Sequence, residues 1–132
     1  MATQLDASTG AQHTAARYDK NGFVFPIDVI STTQAQALRD DLESAEAELA
    51  DDPERLGLLL AYPDRLLPSF DRLVRNETLI ASASAVLGPD LMVWSSSFFI
   101  KEAHSPKIVS WHQDLTYWGL DDAEETTCWV AL

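Results

Sequence analysis

The chain has 132 residues, with 9 Lys and Arg against 21 Asp and Glu, and a formal net charge of −12. Its 46% hydrophobic and 23% charged residues suit one ordinary globular domain and argue against wholesale disorder. A pI near 4.3 argues against a phosphate-binding basic surface and against docking on anionic lipid.

The single cysteine, Cys128, excludes an internal disulfide framework and a Cys-rich zinc site, and it reads as a small core residue. Residues 1–10 contain no Lys or Arg and no apolar run, and the aliphatic stretch at residues 56–61 is too short to span a bilayer. A soluble, cytoplasmic protein is the expectation.

In chain order, residues 1–12 are small and polar and read as a mobile tail. A short helix is expected over residues 13–21, capped by Gly22, followed by a short strand at residues 23–25 closed by Pro26. Ser31, Thr32 and Thr33 then offer N-cap hydroxyls before Ala35, Leu38, Leu42, Ala45 and Leu49. Those apolar residues recur every three or four positions, which predicts an amphipathic helix ending at Asp51-Asp52-Pro53. Residues 54–68, with Pro53, Pro63 and Pro68 in or beside them, read as an irregular crossing. A second helical region follows over residues 70–87, broken near Asn76 and stopped at Gly88-Pro89-Asp90.

Beyond that stop the period changes. Residues 91–100, 108–115 and 126–132 are rich in β-branched and aromatic residues and read as strands, with a turn at Ser105-Pro106. Trp94 and Trp111 fall within them and read as core. Helices first and strands afterwards predict an α+β chain whose β part is a sandwich or barrel. The apolar ending Val130-Ala131-Leu132 predicts a single domain over residues 13–132 whose C-terminal part is missing.

The chemistry-bearing candidate is Trp111-His112-Gln113-Asp114. On a strand, His112 and Asp114 share a face about 6.6 Å apart, where imidazole and carboxylate can take neighbouring positions on one metal ion. That is two-thirds of the 2-His-1-carboxylate facial triad of non-haem Fe(II) sites, whose hard donors suit iron better than structural zinc. A chain with 3 His and 13 Asp holds about 0.3 such pairs by chance, so the spacing by itself favours an ordinary His–Asp hydrogen bond.

The surroundings add to it. The stretch Ser110-Trp111-His112-Gln113-Asp114-Leu115-Thr116-Tyr117-Trp118 closely resembles the iron-binding segment of the phytanoyl-CoA dioxygenase family. Upstream, Tyr18-Asp19-Lys20-Asn21-Gly22-Phe23-Val24 resembles that family's opening segment. Leu87-Gly88-Pro89-Asp90 with Trp94 and Phe99-Ile100-Lys101 resembles the approach to its metal strand. The resemblance covers residues 15–132 and implies helices followed by a double-stranded β-helix, a cupin-like jelly roll, here incomplete. It implies Fe(II) and 2-oxoglutarate, with O2 and a small organic substrate to be hydroxylated.

By resemblance, His112 and Asp114 match the first two iron ligands, and Trp129 and Ser97 line the co-substrate; Tyr117 and Trp118, just past the ligands, are expected to line the substrate pocket. Related halogenases replace the carboxylate ligand with a small residue; Asp114 is present, which favours hydroxylation. The family's second ligand His and its 2-oxoglutarate-binding Arg match nothing in residues 1–132, and the fragment alone is expected to be inactive. His104, before the Ser105-Pro106 turn, and His13, in the first helix, are the other imidazoles and are expected to stay off the metal.

Asp121, Asp122, Glu124 and Glu125 read as a solvated loop, and Lys101 as a strand-end cation. The competing expectations are a non-catalytic truncated relative acting as an interaction protein, and a different cupin-type metal protein.

Overall fold

The computed structural model describes residues 7–101, 103–121 and 124–132, and three of the helices among them begin at side-chain caps, Ser31, Asp52 and Asn76. Helix α1 (Ala7–Asn21) ends at Gly22, whose φ of 76° lets its N–H turn back to the Tyr18 carbonyl at 2.7 Å. The helix starts six residues earlier than its sequence suggests, so residues 7–12 are helical and not a tail. Residues 1–6, the remainder of that expected tail, lie outside the described residues. Helix α1 packs against the later helix over residues 77–87, the kind of contact from which most helical stability comes.

Helix α2 (Thr32–Glu48) opens with a reciprocal capping box. The Gln34 backbone N–H donates to Ser31 Oγ at 3.2 Å, and the Ser31 N–H donates to Gln34 Oε1 at 2.9 Å. Helix α3 (Pro53–Ala61), helix α4 (Pro63–Leu66) and helix α5 (Pro68–Val74) follow, so the expected irregular crossing at residues 54–68 is helical instead. The reason lies in where the prolines stand. Each occupies the first turn of its helix, where a fixed φ fits and the missing N–H costs no hydrogen bond.

Helix α6 (Glu77–Leu87) starts at the expected break: Asn76 Oδ1 accepts from the N–H groups of Thr78 at 2.8 Å and Leu79 at 3.3 Å. It stops at Gly88, which has φ 91°. A last turn, α7 (Leu115–Trp118), ends at Gly119.

The core gathers where these helices cross. Leu38 and Leu42, one turn apart on α2, meet Leu59 of α3 and Phe70 of α5, with Ile30, Leu49, Leu56 and Leu67 around them. Into the same cluster comes Phe98, whose ring meets Phe70 edge-on at 4.8 Å. The backbone follows the ring, with Phe98 N–H donating to the Leu60 carbonyl at 2.9 Å. Two residues earlier, the Ser96 hydroxyl donates to Asp64 Oδ1.

Among the described residues all regular structure is helical. Residues 23–25, 91–100, 108–115 and 126–132, expected as strands, form no ladder there. A strand-forming composition supplies the capacity to pair, but a ladder also needs an extended neighbour in register. Segment 91–100 instead spends its contacts on α3, α4 and α5, and segment 108–115 turns into α7. Trp94 is 50% exposed and Trp111 94% exposed, so neither is core, and Cys128 is exposed as well.

Leu59 is 2% exposed and central to the cluster. Leu59→Ala is expected to lower the unfolding free energy by about 2–5 kcal/mol in urea titrations. The same truncation at half-exposed Ile80 on α6 should cost far less; equal losses at the two positions would place the core elsewhere.

Candidate metal centre

A carbonyl oxygen can only accept, and this fixes the His112 ring. Its Nδ1 lies 2.8 Å from the Ser110 carbonyl oxygen, so Nδ1 carries a proton and donates it there. The other nitrogen, Nε2, faces Asp114 Oδ1 at 2.9 Å. The chain achieves this without a strand. Asp114 has φ −60° and ψ −40°, and the Tyr117 N–H donates to its carbonyl at 2.9 Å, so the turn into α7 folds the carboxylate back towards the imidazole. The Tyr117 ring stands edge-on to the imidazole, with centroids 6.0 Å apart.

The second carboxylate oxygen is held separately. Thr127, thirteen residues on, donates its hydroxyl to Asp114 Oδ2, and its Oγ1 stands 3.1 Å from Glu125 Oε1. Nothing in the sequence marked Thr127, because threonine is common and the contact bridges a loop. Glu125, read as part of a solvated acidic loop, is half-buried beside that hydroxyl.

The other expected residues are distributed differently. Trp129 packs its ring on Phe99 at 5.4 Å, and Ser97 is exposed. Among the described residues no hydrogen bond or ring contact joins either to the His–Asp pair. Tyr117 is beside the pair yet 74% exposed, and Trp118 is half-buried. His104 sits exposed in a turn at φ 62°, and His13 is exposed on α1. The surface hollows lined by residues 28–32 and by Leu58, Leu59, Leu66 and Leu67 take no side chain from the pair.

Whether the pair suits a metal is decided by its donors. Two neighbouring positions on an octahedral ion with bonds of about 2.1 Å lie about 3 Å apart, close to the 2.9 Å between Nε2 and Oδ1. Donation of Nδ1–H to a backbone carbonyl is the usual outer support of a metal-binding imidazole, because it leaves Nε2 as the free lone pair. The donors fit. A separation of 2.9 Å is equally a charge-assisted hydrogen bond, so in the metal-free protein a proton occupies the same place. Among the described residues no group of three His, Cys, Asp or Glu stands together.

Comparison with known proteins follows this geometry. The sequence model of the phytanoyl-CoA dioxygenase (PhyH) family matches residues 18–132. The chain belongs to the phytanoyl-CoA dioxygenase family. No curated protein and no solved structure matches the chain. The phytanoyl-CoA dioxygenase family is one of oxygenases, generally dependent on Fe(II) and 2-oxoglutarate, and a dioxygenase takes O2 and a small-molecule substrate. Among the described residues no helix is long and apolar enough to cross a membrane.

The Ser110 carbonyl raises the His112 pKa above its ordinary value of 6.5, against desolvation and with help from Asp114. A raised folded value means that this stabilisation is full below about 6.5 and is lost as pH rises through the folded value. In the metal-free protein the NMR titration midpoint of His112 should therefore lie above 6.5. Asp114→Asn should lower it without removing the whole shift, since the Ser110 bond is the larger cause; a midpoint at or below 6.5 in the unmodified protein would contradict this geometry.

Proposed function

We propose that this chain is the metal-binding N-terminal part of an Fe(II)- and 2-oxoglutarate-dependent dioxygenase that hydroxylates a small organic substrate. The observation that carries the reading is the His112 Nε2–Asp114 Oδ1 pair, with Nδ1 anchored on Ser110, inside a family match over residues 18–132. On this reading the residues after Gly88 belong to a jelly roll. A second imidazole and an arginine for the co-substrate carboxylate come from polypeptide beyond residue 132.

His112 and Asp114 would hold the iron, which supplies O2 activation coupled to decarboxylation of the keto acid. The residues of this chain bind and orient. The Ser110 carbonyl fixes the tautomer and plane of His112, so Nε2 is presented without a side-chain rearrangement. Asp114 contributes a negative charge that offsets the divalent cation. Tyr117, edge-on to the imidazole, forms a wall beside the pair, and a substrate-lining role is assigned to it and to Trp118. Trp129 and Phe99 make an aromatic surface to which the co-substrate binding role of Trp129 and Ser97 is assigned. Metal binding displaces the proton held between Nε2 and Oδ1, so affinity should rise with pH.

One observation favours a second reading, an interaction protein without catalysis. Met92, Ile108 and Trp111 are 82%, 85% and 94% exposed, apolar side chains that a protein partner could cover as well as a completed barrel could.

The test uses the full-length protein with Fe(II), O2 and 2-oxoglutarate. Succinate formation is expected, and His112→Ala and Asp114→Ala should each reduce it more than about 100-fold while the protein stays folded. Unchanged succinate formation in both variants would falsify the assignment. Absence of turnover in the unmodified protein, with a stable complex to another chain, would favour the second reading.

A further inference from the structure

The two oxygens of Asp114 are treated differently, and a single residue makes the difference. Oδ1 faces His112 Nε2 at 2.9 Å, whereas Oδ2 accepts the Thr127 hydroxyl. A carboxylate can grip a metal through one oxygen or through both. Gripping through both would occupy a further coordination position, and facial-triad chemistry depends on positions left open. A hydroxyl donor on one oxygen disfavours the two-oxygen mode, because the lone pair it takes is no longer available to the cation.

Thr127 is well placed for this. Its neighbour Thr126 donates to the Tyr18 hydroxyl of α1 at 3.2 Å. The two adjacent hydroxyls thus engage different elements, Thr126 the first helix and Thr127 the Asp114 carboxylate. The hydroxyl has one proton, and its other acceptor within reach is Glu125 Oε1 at 3.1 Å. The contact therefore has two possible structural purposes: holding Asp114, or holding Glu125.

We propose that Thr127 is a positioning residue that holds Asp114 to binding through Oδ1 alone, and so keeps the metal's remaining positions open. This rests on the reading of His112 and Asp114 as metal ligands.

The test measures Co(II) binding to the full-length protein by calorimetry, together with the visible absorption of the bound ion. Thr127→Val keeps the shape and removes the donor. It should weaken Co(II) binding by about 10–100-fold and change the absorption band, as a carboxylate free to use both oxygens alters the coordination number. Thr127→Ser should restore both affinity and band, and Glu125→Gln should match the unmodified protein. Wild-type affinity and band in Thr127→Val would overturn the proposal, as would failure of Thr127→Ser in a folded protein. A loss in Glu125→Gln equal to that in Thr127→Val would assign the hydroxyl to Glu125 and overturn it too. Should Thr127→Val fail to fold, Thr127→Ala with the same two readouts takes its place. Asp114→Ala separates the two levels. If it binds Co(II) like the unmodified protein, the ligand assignment fails and this inference falls with it. If it loses binding while Thr127→Val does not, only the role of Thr127 is lost.

Discussion

Phe98 joins the two halves of this molecule. Upstream of it lie helices that satisfy their own backbone groups. Downstream lies a chain whose amides and carbonyls have no ladder among the described residues. The Phe98 ring enters the helical core against Phe70, and its N–H closes on Leu60, so side chain and backbone are fixed together. An aromatic ring of this kind contributes the largest apolar burial available to the segment. The docked Ser96 hydroxyl on Asp64, two residues earlier, is a second attachment on the approach to that ring. The site segment runs on from this anchor, and the Tyr18–Thr126 contact ties the chain again at its far end.

The helical half was largely legible because its signals are local. Ser31 with Gln34, Asn76 before Glu77, and Gly22 and Gly88 at positive φ are each set by a few adjacent residues. The misreading of residues 54–68 has an equally local cause. Proline breaks a helix from inside and begins one from its first turn, and composition alone does not say which. Pro53, Pro63 and Pro68 all stand at beginnings. Segments 91–100, 108–115 and 126–132 are a different case: their apolar and β-branched residues record a capacity for pairing that depends on neighbours distant in sequence.

Of the candidate site, the closeness of His112 and Asp114 was visible from their spacing. The means of bringing it together was not. The spacing suggested two side chains on one face of a strand, whereas the backbone at Asp114 is helical and a turn closes the gap. The Ser110 carbonyl is a backbone group, so no residue type announces it, and Thr127 meets Asp114 across thirteen positions. The chain's net charge of −12 acts on both reactants of the proposed chemistry, drawing a divalent cation in and opposing a dicarboxylate. In that proposed chemistry, tight co-substrate binding would depend on a cation placed locally, not on the overall field.

Thr126 and Thr127 carry one further implication. Together they work like a two-toothed key, one tooth engaging α1 and the next engaging the carboxylate. Because the two teeth stand on adjacent residues, a displacement of α1 at Tyr18 reaches the carboxylate through a single peptide unit. The acid and the first helix are thereby kept in step.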